Sequence, residues 1–226
     1  MKKTFIVMVM ALGALLLNPA IAAGADFECT GFQSGGTFGN VVVPTGQSCV
    51  LDHVRVTGKV TVQTGGNLIV STTGGDSTVA GDIKGDGCGF IELEATSLAA
   101  RIVVGGNVRI QNCTGVVFSG GQGDSTRTPP GSILIGGNVK CSDNADGCVF
   151  DYFIISGSLE CSANGQGCTV NHDAIGGSVT MNNNPGGVIV TESAIGGDLK
   201  CSGNASATSN PPNTIAGTSS GQCSGF

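Results

Sequence analysis

Five acidic residues in the first half of the chain have side chains that suit catalysis or ion binding: Asp76, Asp82, Asp86, Glu92 and Glu94. Carboxylates that converge on one face act as an acid/base pair on glycosidic bonds or coordinate calcium. The segment around them does not fit the nonapeptide calcium repeat, and no basic residue occupies matching positions. The sequence favours exposed turn residues here and keeps the five acids as candidate binding residues of a carbohydrate-active protein.

Other residues that could do chemistry are few. His53 and His172 are the only histidines, and no Gly-x-Ser-x-Gly motif supplies a serine nucleophile. A Ser–His–Asp arrangement is spatial and has no fixed sequence spacing. We assign no catalytic residue and interpret both histidines as surface residues. The scattered arginines would at most bind an acidic sugar together: Arg55, Arg101, Arg109 and Arg127.

A repeated phrase organises the second half of the chain. The pattern Ile-Gly/Ser-Gly-x-Val/Leu-x-Cys/Met recurs every 20 residues from Ile135 onwards. Equivalents of its second glycine extend back to Gly39, at spacings of 19, 23, 25, 31, 20, 20 and 20 residues. A fixed period of this size is typical of a solenoid in which each repeat is one turn. The glycine positions predict about eight turns of roughly 20 residues.

Alternating apolar and polar residues within each turn indicate strands and an all-β fold. We predict a single-stranded parallel β-helix, for which right-handed winding is expected. The Ile, Val/Leu and Cys/Met positions point inward, and residues such as Lys140 and Glu160 point outward. One asparagine recurs in each regular turn: Asn144, Asn164, Asn184 and Asn204. These amides are expected to bond along the stack, in a left-handed or turn conformation at a corner.

The wider spacings must be absorbed by loops, because an extra residue in a strand would reverse its faces. The largest surplus is the polar segment Ser119–Gly131, which is expected to bulge from one corner. A second surplus at Phe90–Ala100 lacks turn residues and predicts either an extra strand or a short helical turn.

The ten cysteines all follow residue 22, and an even number is typical of disulfides in exported proteins. Their positions suggest the pairs Cys29–Cys49, Cys88–Cys113 and Cys201–Cys223. For the other four, pairing within turns gives Cys141–Cys148 with Cys161–Cys168, and pairing between turns gives Cys141–Cys161 with Cys148–Cys168. The chain has no C-x-x-C knuckle, so neither a metal nor any other cofactor is expected.

The N-terminus is typical of a secretory signal peptide, since two lysines precede the apolar run Phe5–Leu17 and a group of small residues. Cleavage is predicted after Ala22, with sites up to Ala25 as alternatives. We divide the remaining chain into an N-terminal cap (23–38), the β-helix (39–204) and a C-terminal cap or tail (205–226). The protein is therefore expected to be secreted, in the periplasm, at the cell surface or in the medium.

The charge balance excludes several classes of partner. After residue 22 the chain has 8 basic and 16 acidic residues, a net charge of −8. Nucleic acids and anionic membrane surfaces both select for basic patches, so neither is an expected partner. No later apolar stretch is long enough to span a bilayer, so membrane insertion is not expected.

Particular sequence phrases also resemble a known group of proteins. Val104-Gly-Gly-Asn-Val108, Ile135-Gly-Gly-Asn-Val139 and the closing Gly221-Gln-Cys223 are similar to a family of secreted bacterial β-helix proteins without an assigned activity. The chain is also broadly similar to the bactofilin-type polymerising β-helices, which are cytosolic and lack a signal peptide. The resemblance implies the fold and no particular function.

The pattern predicts a disulfide-stapled structural or adhesive module without catalysis. The alternative is a carbohydrate-active lyase or hydrolase, or a glycan-binding module. Expected partners are a polysaccharide or a cell-envelope surface, and the ends of a stack also permit self-assembly. Recognition is expected on the irregular side, near Asp76–Glu94 or Ser119–Gly131.

Overall fold

The computed structural model describes residues 26–73, 75–96, 100–115 and 133–226. Within these residues the chain forms 27 β-strands and no helix. All paired strands are parallel and stack in register, so the chain is a β-solenoid of about eight turns, as the repeat predicted. The predicted signal peptide, Arg127 and the Ser119–Gly131 segment lie outside the described residues.

Four sheets make up the three faces of the stack. Sheet A contains β1 (Phe27–Glu28), β4 (Val41–Val43), β7 (Val60–Val62), β10 (Ile83–Asp86), β13 (Val108–Gln111), β15 (Val139–Ser142), β18 (Leu159–Ser162), β21 (Val179–Asn182), β24 (Leu199–Ser202) and β27 (Ser219–Gly221). Sheet C contains β3 (Thr37–Phe38), β6 (Arg55–Val56), β9 (Ser77–Val79), β12 (Ile102–Val104), β14 (Ile133–Ile135), β17 (Phe153–Ile155), β20 (Ala174–Ile175), β23 (Ala194–Ile195) and β26 (Thr214–Ile215).

The remaining two sheets follow sheet A in each turn. Sheet B contains β2 (Gly31–Ser34), β5 (Ser48–Asp52), β8 (Asn67–Ser71) and β11 (Phe90–Glu94). Sheet D contains β16 (Cys148–Asp151), β19 (Cys168–Asn171), β22 (Val188–Thr191) and β25 (Ala207–Asn210). Strand β11 shows that the Phe90–Ala100 surplus includes a strand and not a helical turn over its first five residues.

Apart from the turn between β13 and β14, of which residues 116–132 are not described, each turn runs from sheet A through sheet B or D to sheet C. The repeated phrase therefore spans two strands: its Ile ends a strand of sheet C, and its Val or Leu begins a strand of sheet A. The phrase is therefore not one continuous strand, because the chain bends at its glycines. A Cβ atom on Gly157 would lie 2.7 Å from the Gly137 carbonyl oxygen of the previous turn. The second glycine thus permits the close approach of successive turns.

The interior is filled by in-register columns of aliphatic side chains. Ile133, Ile135, Phe150 and Phe153 have no more than 1% of their surface exposed, and the rings of Phe150 and Phe153 meet edge to face at 5.5 Å. Burial of each such side chain contributes about 1.5–3 kcal/mol to stability. Inward and outward positions alternate as predicted, since Cys148 and Phe150 are buried while Val149 is exposed.

The recurring asparagines form a buried ladder at the corner between sheets A and D. Oδ1 of Asn164 accepts from the main-chain N and from Nδ2 of Asn144, at 3.3 and 2.9 Å. The same two contacts join Asn164 to Asn184 and Asn184 to Asn204. Oε1 of Gln222 accepts from Asn204 and ends the ladder. A single amide per turn therefore links four turns to one another.

The left-handed residue at this corner is not the asparagine. Positive φ angles occur at the preceding residues Asp143 (59°), Ala163 (54°) and Asn183 (55°). Of the left-handed or turn conformation expected for the asparagines, the left-handed one is not adopted, and each amide points into the stack and reaches its neighbours. The sharp bend falls on the more accessible residue before it.

Five disulfides link the stack. The pairs are Cys29–Cys49, Cys88–Cys113, Cys141–Cys148, Cys161–Cys168 and Cys201–Cys223. The four central cysteines are joined within their own turns. The described residues contain no helix with the length and apolar character needed to cross a lipid bilayer.

Candidate functional site

The five acids selected from the sequence are distributed over three parts of the solenoid. Asp76 precedes β9 in sheet C, and its Oδ1 accepts from the Arg101 amide at 2.7 Å. Asp82 and Asp86 flank the outer face of β10 in sheet A, whereas Glu92 and Glu94 lie on β11 in sheet B. Asp82 and Asp86 are four residues apart along sheet A, and the other three acids lie on different sheets, so these acids do not form one converging set.

Asp82 belongs to a second ladder, at the residue after the second glycine position of each repeat. In this glycine-corner ladder, each side-chain oxygen accepts from the main-chain N of the equivalent residue one turn later, at 2.7–3.1 Å. Its members are Asp82, Asn107, Asn138, Ser158, Ser178 and Asp198. The Oδ1 atom of Asp82 also accepts from Nδ2 of Asn107 at 3.2 Å. Asp82 therefore has a structural role in the bend between sheets C and A.

Asp86 is held as a carboxylate by its neighbours. It accepts from Nδ2 of Asn112 and Nε2 of Gln111, each at 2.9 Å. These two hydrogen bonds, followed by the charges of Lys84 and Arg109, lower the pKa of Asp86. A lowered pKa suits a permanent counter-charge or an acceptor of hydrogen bonds, and it does not suit a general acid at neutral pH.

A row of three cations lies beside Asp86 on the outer face of sheet A. Lys84, Arg109 and Lys140 occupy successive strands in direct register, and we call them the cation row. Nζ of Lys140 lies 2.6 Å from Oε1 of Glu160, the next residue of the same column. Within the described part of the chain, Lys84 and Arg109 form no ion pair at 4 Å or less.

Two shallow grooves border the cation row. One, of about 330 Å³, is lined by Asp82, Ile83, Lys84, Asn107 and Arg109. The other, of about 430 Å³, extends along the same face from Asn138 to Thr180 and includes Lys140 and Glu160. Both offer an amide and charges of either sign, and the second adds hydroxyls; these are groups that bind sugars and their acidic substituents.

Ser142 adds an unsatisfied group to this face. Strand alternation places it on the same side of β15 as Lys140, yet only 2% of the residue is exposed. Its hydroxyl is the one buried side-chain oxygen or nitrogen in the described residues without a hydrogen-bond partner. A buried hydroxyl without a partner costs about 1–3 kcal/mol of stability. A hydrogen bond to a polar group of a ligand would offset that cost.

A second polar cluster lies at the corner between sheets D and C. His172 faces Asp151 through Nδ1 at 3.2 Å and Glu192 through Nε2 at 3.3 Å, and the Tyr152 ring stacks on it at 4.5 Å. The two carboxylates lie against opposite edges of the imidazole, so one ion could not bind all three side chains. No group of His, Cys, Asp and Glu suited to a metal occurs among the described residues.

Asp173 lies beneath this cluster and is almost fully buried. Its oxygens accept from the amides of Phe153 at 2.7 Å and Asn171 at 3.1 Å. Burial raises the pKa of Asp173 well above its ordinary value, although those two hydrogen bonds oppose the shift. In later turns the equivalent position holds Ser193 and Asn213, whose side chains likewise accept from a main-chain N of the preceding turn. Asp173 is therefore the ionisable member of a neutral structural ladder.

The outer face of sheet C is apolar. Leu134, Ile154, Ala174 and Ala194 form an in-register column that borders a groove of about 430 Å³. Few polar groups are available there to orient a ligand. The outer face of sheet A, from Asp82 to Glu160, is thus the best candidate site.

Comparisons with models of protein families, with curated proteins and with solved structures find no significant match. The fold and the site together define a class: a disulfide-rich parallel β-solenoid with a charged groove along one face.

Sequence reasoning missed the cation row, although the signal was present. Lys84, Arg109 and Lys140 stand at the same offset from the repeat glycine, three residues after Gly81, Gly106 and Gly137. The column contains both lysine and arginine, so it is recognised only when the two residue types are counted together. The lack of a hydrogen-bond partner for the Ser142 hydroxyl depends on packing and cannot be recognised from the sequence.

Proposed function

We propose that this protein is an exported structural or adhesive module that holds a polysaccharide or a cell-envelope surface without catalysis. The proposal rests on the hydrogen bonds that the acidic residues accept. Asp76 and Asp82 accept main-chain hydrogen bonds that link turns, and Asp86 accepts side-chain hydrogen bonds from the next turn. Groups committed to the scaffold in this way support rigidity rather than proton transfer.

Export is supported by two features. Five disulfides are compatible with an oxidising compartment, where such bonds persist. The N-terminal pattern of lysines, apolar run and small residues supports the same destination.

Adhesion is supported by the long face of sheet A. Its outward residues repeat at the rung spacing of parallel strands, about 4.8 Å. A linear polymer that lies along the axis would therefore meet similar groups at regular intervals. Many weak contacts of this kind add up, since the second and later contacts form at high effective concentration.

The test uses the exported protein with panels of acidic and neutral polysaccharides and a cell-envelope preparation. We expect retention on at least one of these surfaces and no release of reducing ends or unsaturated sugars. Cleavage products that disappear in Asp82→Asn or Asp86→Asn would establish the carbohydrate-active enzyme instead. Absence of retention on every surface would refute adhesion.

A further inference from the structure

We infer that the cation row binds a linear acidic polysaccharide that runs parallel to the solenoid axis. This inference rests on the proposed adhesive function and names the ligand class of the same face. The ligand's carboxylate or sulfate groups would bind Lys84 and Arg109, with Lys140 as the third contact.

The distribution of charge is the first argument. Only eight basic residues follow residue 22, and three of them occupy successive rungs of one column in an acidic protein. Like charges directly opposite each other on neighbouring strands are destabilising. Glu160 offsets Lys140, and Asp86 offsets part of the charge of Lys84 and Arg109. Among the described residues, neither Lys84 nor Arg109 has a carboxylate within ion-pair distance, so an anionic ligand would complete the row.

Ser142 is an independent second argument. Its hydroxyl is buried, has no hydrogen-bond partner and lies on the same face as Lys140. A sugar hydroxyl or carboxylate at Lys140 would supply the missing partner after a small movement of the side chains above it. Within the described part of the chain, no contact accounts for this unbonded hydroxyl.

The spacing of the row favours a polymer over a single small anion. Successive cations are one rung apart, about 4.8 Å, which is close to the length of one hexose residue in an extended chain. Each acidic sugar would then meet one cation. The neighbouring amide of Asn107 and the carboxylate of Glu160 suit the sugar hydroxyls between the charges.

The same face is unsuited to single-stranded nucleic acid. Its outward residues from Thr61 to Lys200 include no aromatic side chain among those described, and sequence-independent binding of such strands depends on base stacking. The net charge of the whole chain also opposes a highly charged polymer, whereas a polysaccharide with one charge per sugar is repelled less.

The test compares two double variants with equal loss of charge on the same face. Lys84→Gln with Arg109→Gln removes part of the row, and Lys59→Gln with Lys200→Gln removes two cations outside it. Binding of exported protein to polygalacturonate, to uncharged dextran and to single-stranded DNA is measured at several salt concentrations. The row variant should bind polygalacturonate about tenfold more weakly, with a shallower salt dependence, while the control variant stays within about twofold of wild type.

Ser142→Ala separates a ligand role from a structural one. Removing the orphan hydroxyl should leave the melting temperature unchanged or slightly higher and should weaken polygalacturonate binding about threefold. Equal weakening by the two double variants, or binding to dextran or DNA as tight as to polygalacturonate, would overturn the inference. Retention on the cell-envelope preparation without any polygalacturonate binding would overturn it while leaving adhesion intact.

Discussion

The two halves of the solenoid close the same corner with different chemistry. In the regular half, residues 135–204, one buried asparagine per turn links each turn to the next. In the irregular half, residues 39–115, the equivalent position holds Cys88 and Cys113, which are joined by a disulfide. The Cys113 amide still donates to Oδ1 of Asn144, so the two devices form one continuous column.

The difference teaches how a repeat tolerates insertions. Amide ladders need uniform turns, because each hydrogen bond depends on a neighbour at the same height. A disulfide tolerates a change in the length of the connecting loop, since it only joins two points of the chain. The cation row straddles both halves: Lys84 and Arg109 belong to the irregular half and Lys140 to the regular half.

The largest loss of stability is expected from removing the Cys88–Cys113 disulfide. Cys88→Ala with Cys113→Ala opens a loop of 25 residues and should cost about 3–4 kcal/mol of unfolding free energy. Replacing both cysteines by asparagine should cost less, because the new amides can extend the ladder from Asn144. Urea unfolding of the two double variants measures the comparison. An equal loss of unfolding free energy in both double variants would show that asparagines cannot replace the disulfide in this column.

Breaking the amide ladder in its middle should be slightly less costly. Asn164→Ala removes the acceptor for Asn144 and the donor to the Cys141 carbonyl, and leaves buried groups unpaired. We expect a loss of about 3 kcal/mol, measured by urea unfolding. Ser162→Ala, two residues earlier on the outer face, is the matched control and should change stability by less than about 0.5 kcal/mol.

Asp173, at the corner between sheets D and C, should make the stability of the protein depend on pH. Burial raises the pKa of Asp173, so between its unfolded and folded pKa values only the unfolded chain releases the proton. Stability should therefore fall as pH rises through that window. Asp173→Asn cannot ionise and resembles Asn213 at the equivalent position, so it should be more stable than wild type at pH 7.

Thermal melting of both proteins from pH 3 to pH 8 checks this prediction. The difference in melting temperature should grow in favour of Asp173→Asn as pH rises and then level off. Asp86→Asn is a contrasting control, since the pKa of Asp86 is lowered and its contribution is instead lost as pH falls. A constant difference between Asp173→Asn and wild type across the range would contradict the assignment.

The smallest expected effect is a gain in stability. Ala163 has a φ of 54°, whereas the equivalent position in the last turn holds Gly203 at 65°. Ala163→Gly should relieve the left-handed strain and stabilise the protein by about 0.5–1 kcal/mol. Gly203→Ala is the reciprocal change and should destabilise it. A loss of stability in Ala163→Gly would mean that strain does not limit this corner.

The fold could be predicted from the sequence because the repeat is nearly periodic. Glycine spacing and one asparagine per turn sufficed for the number of turns and for the stacking of equivalent residues. The three-faced cross-section was missed, since Ile135 and Val139 lie four residues apart and keep the same facing on either side of a bend. A bend that leaves the order of inward and outward residues unchanged therefore cannot be recognised from their alternation alone.

The candidate site was harder to predict. The sequence directed attention to carboxylates, but whether Asp82 is free or committed to a main-chain amide depends on the bend beside it. Lys84, Arg109 and Lys140 are separated by irregular spacings of 25 and 31 residues, so they are recognised as neighbours only when each is counted from its repeat glycine or read from the strand register. A functional surface built across turns is visible only once the turns are aligned.

The mean mass of polygalacturonate before and after it forms a complex with the protein tests the central claim most directly. Light scattering with size separation measures the polymer in the bound and released states. The account predicts a complex that is lost in the Lys84→Gln, Arg109→Gln variant and a released polymer of unchanged mass. A shortened polymer would show catalysis, and an equal complex in that variant would show that the cation row is not the binding surface.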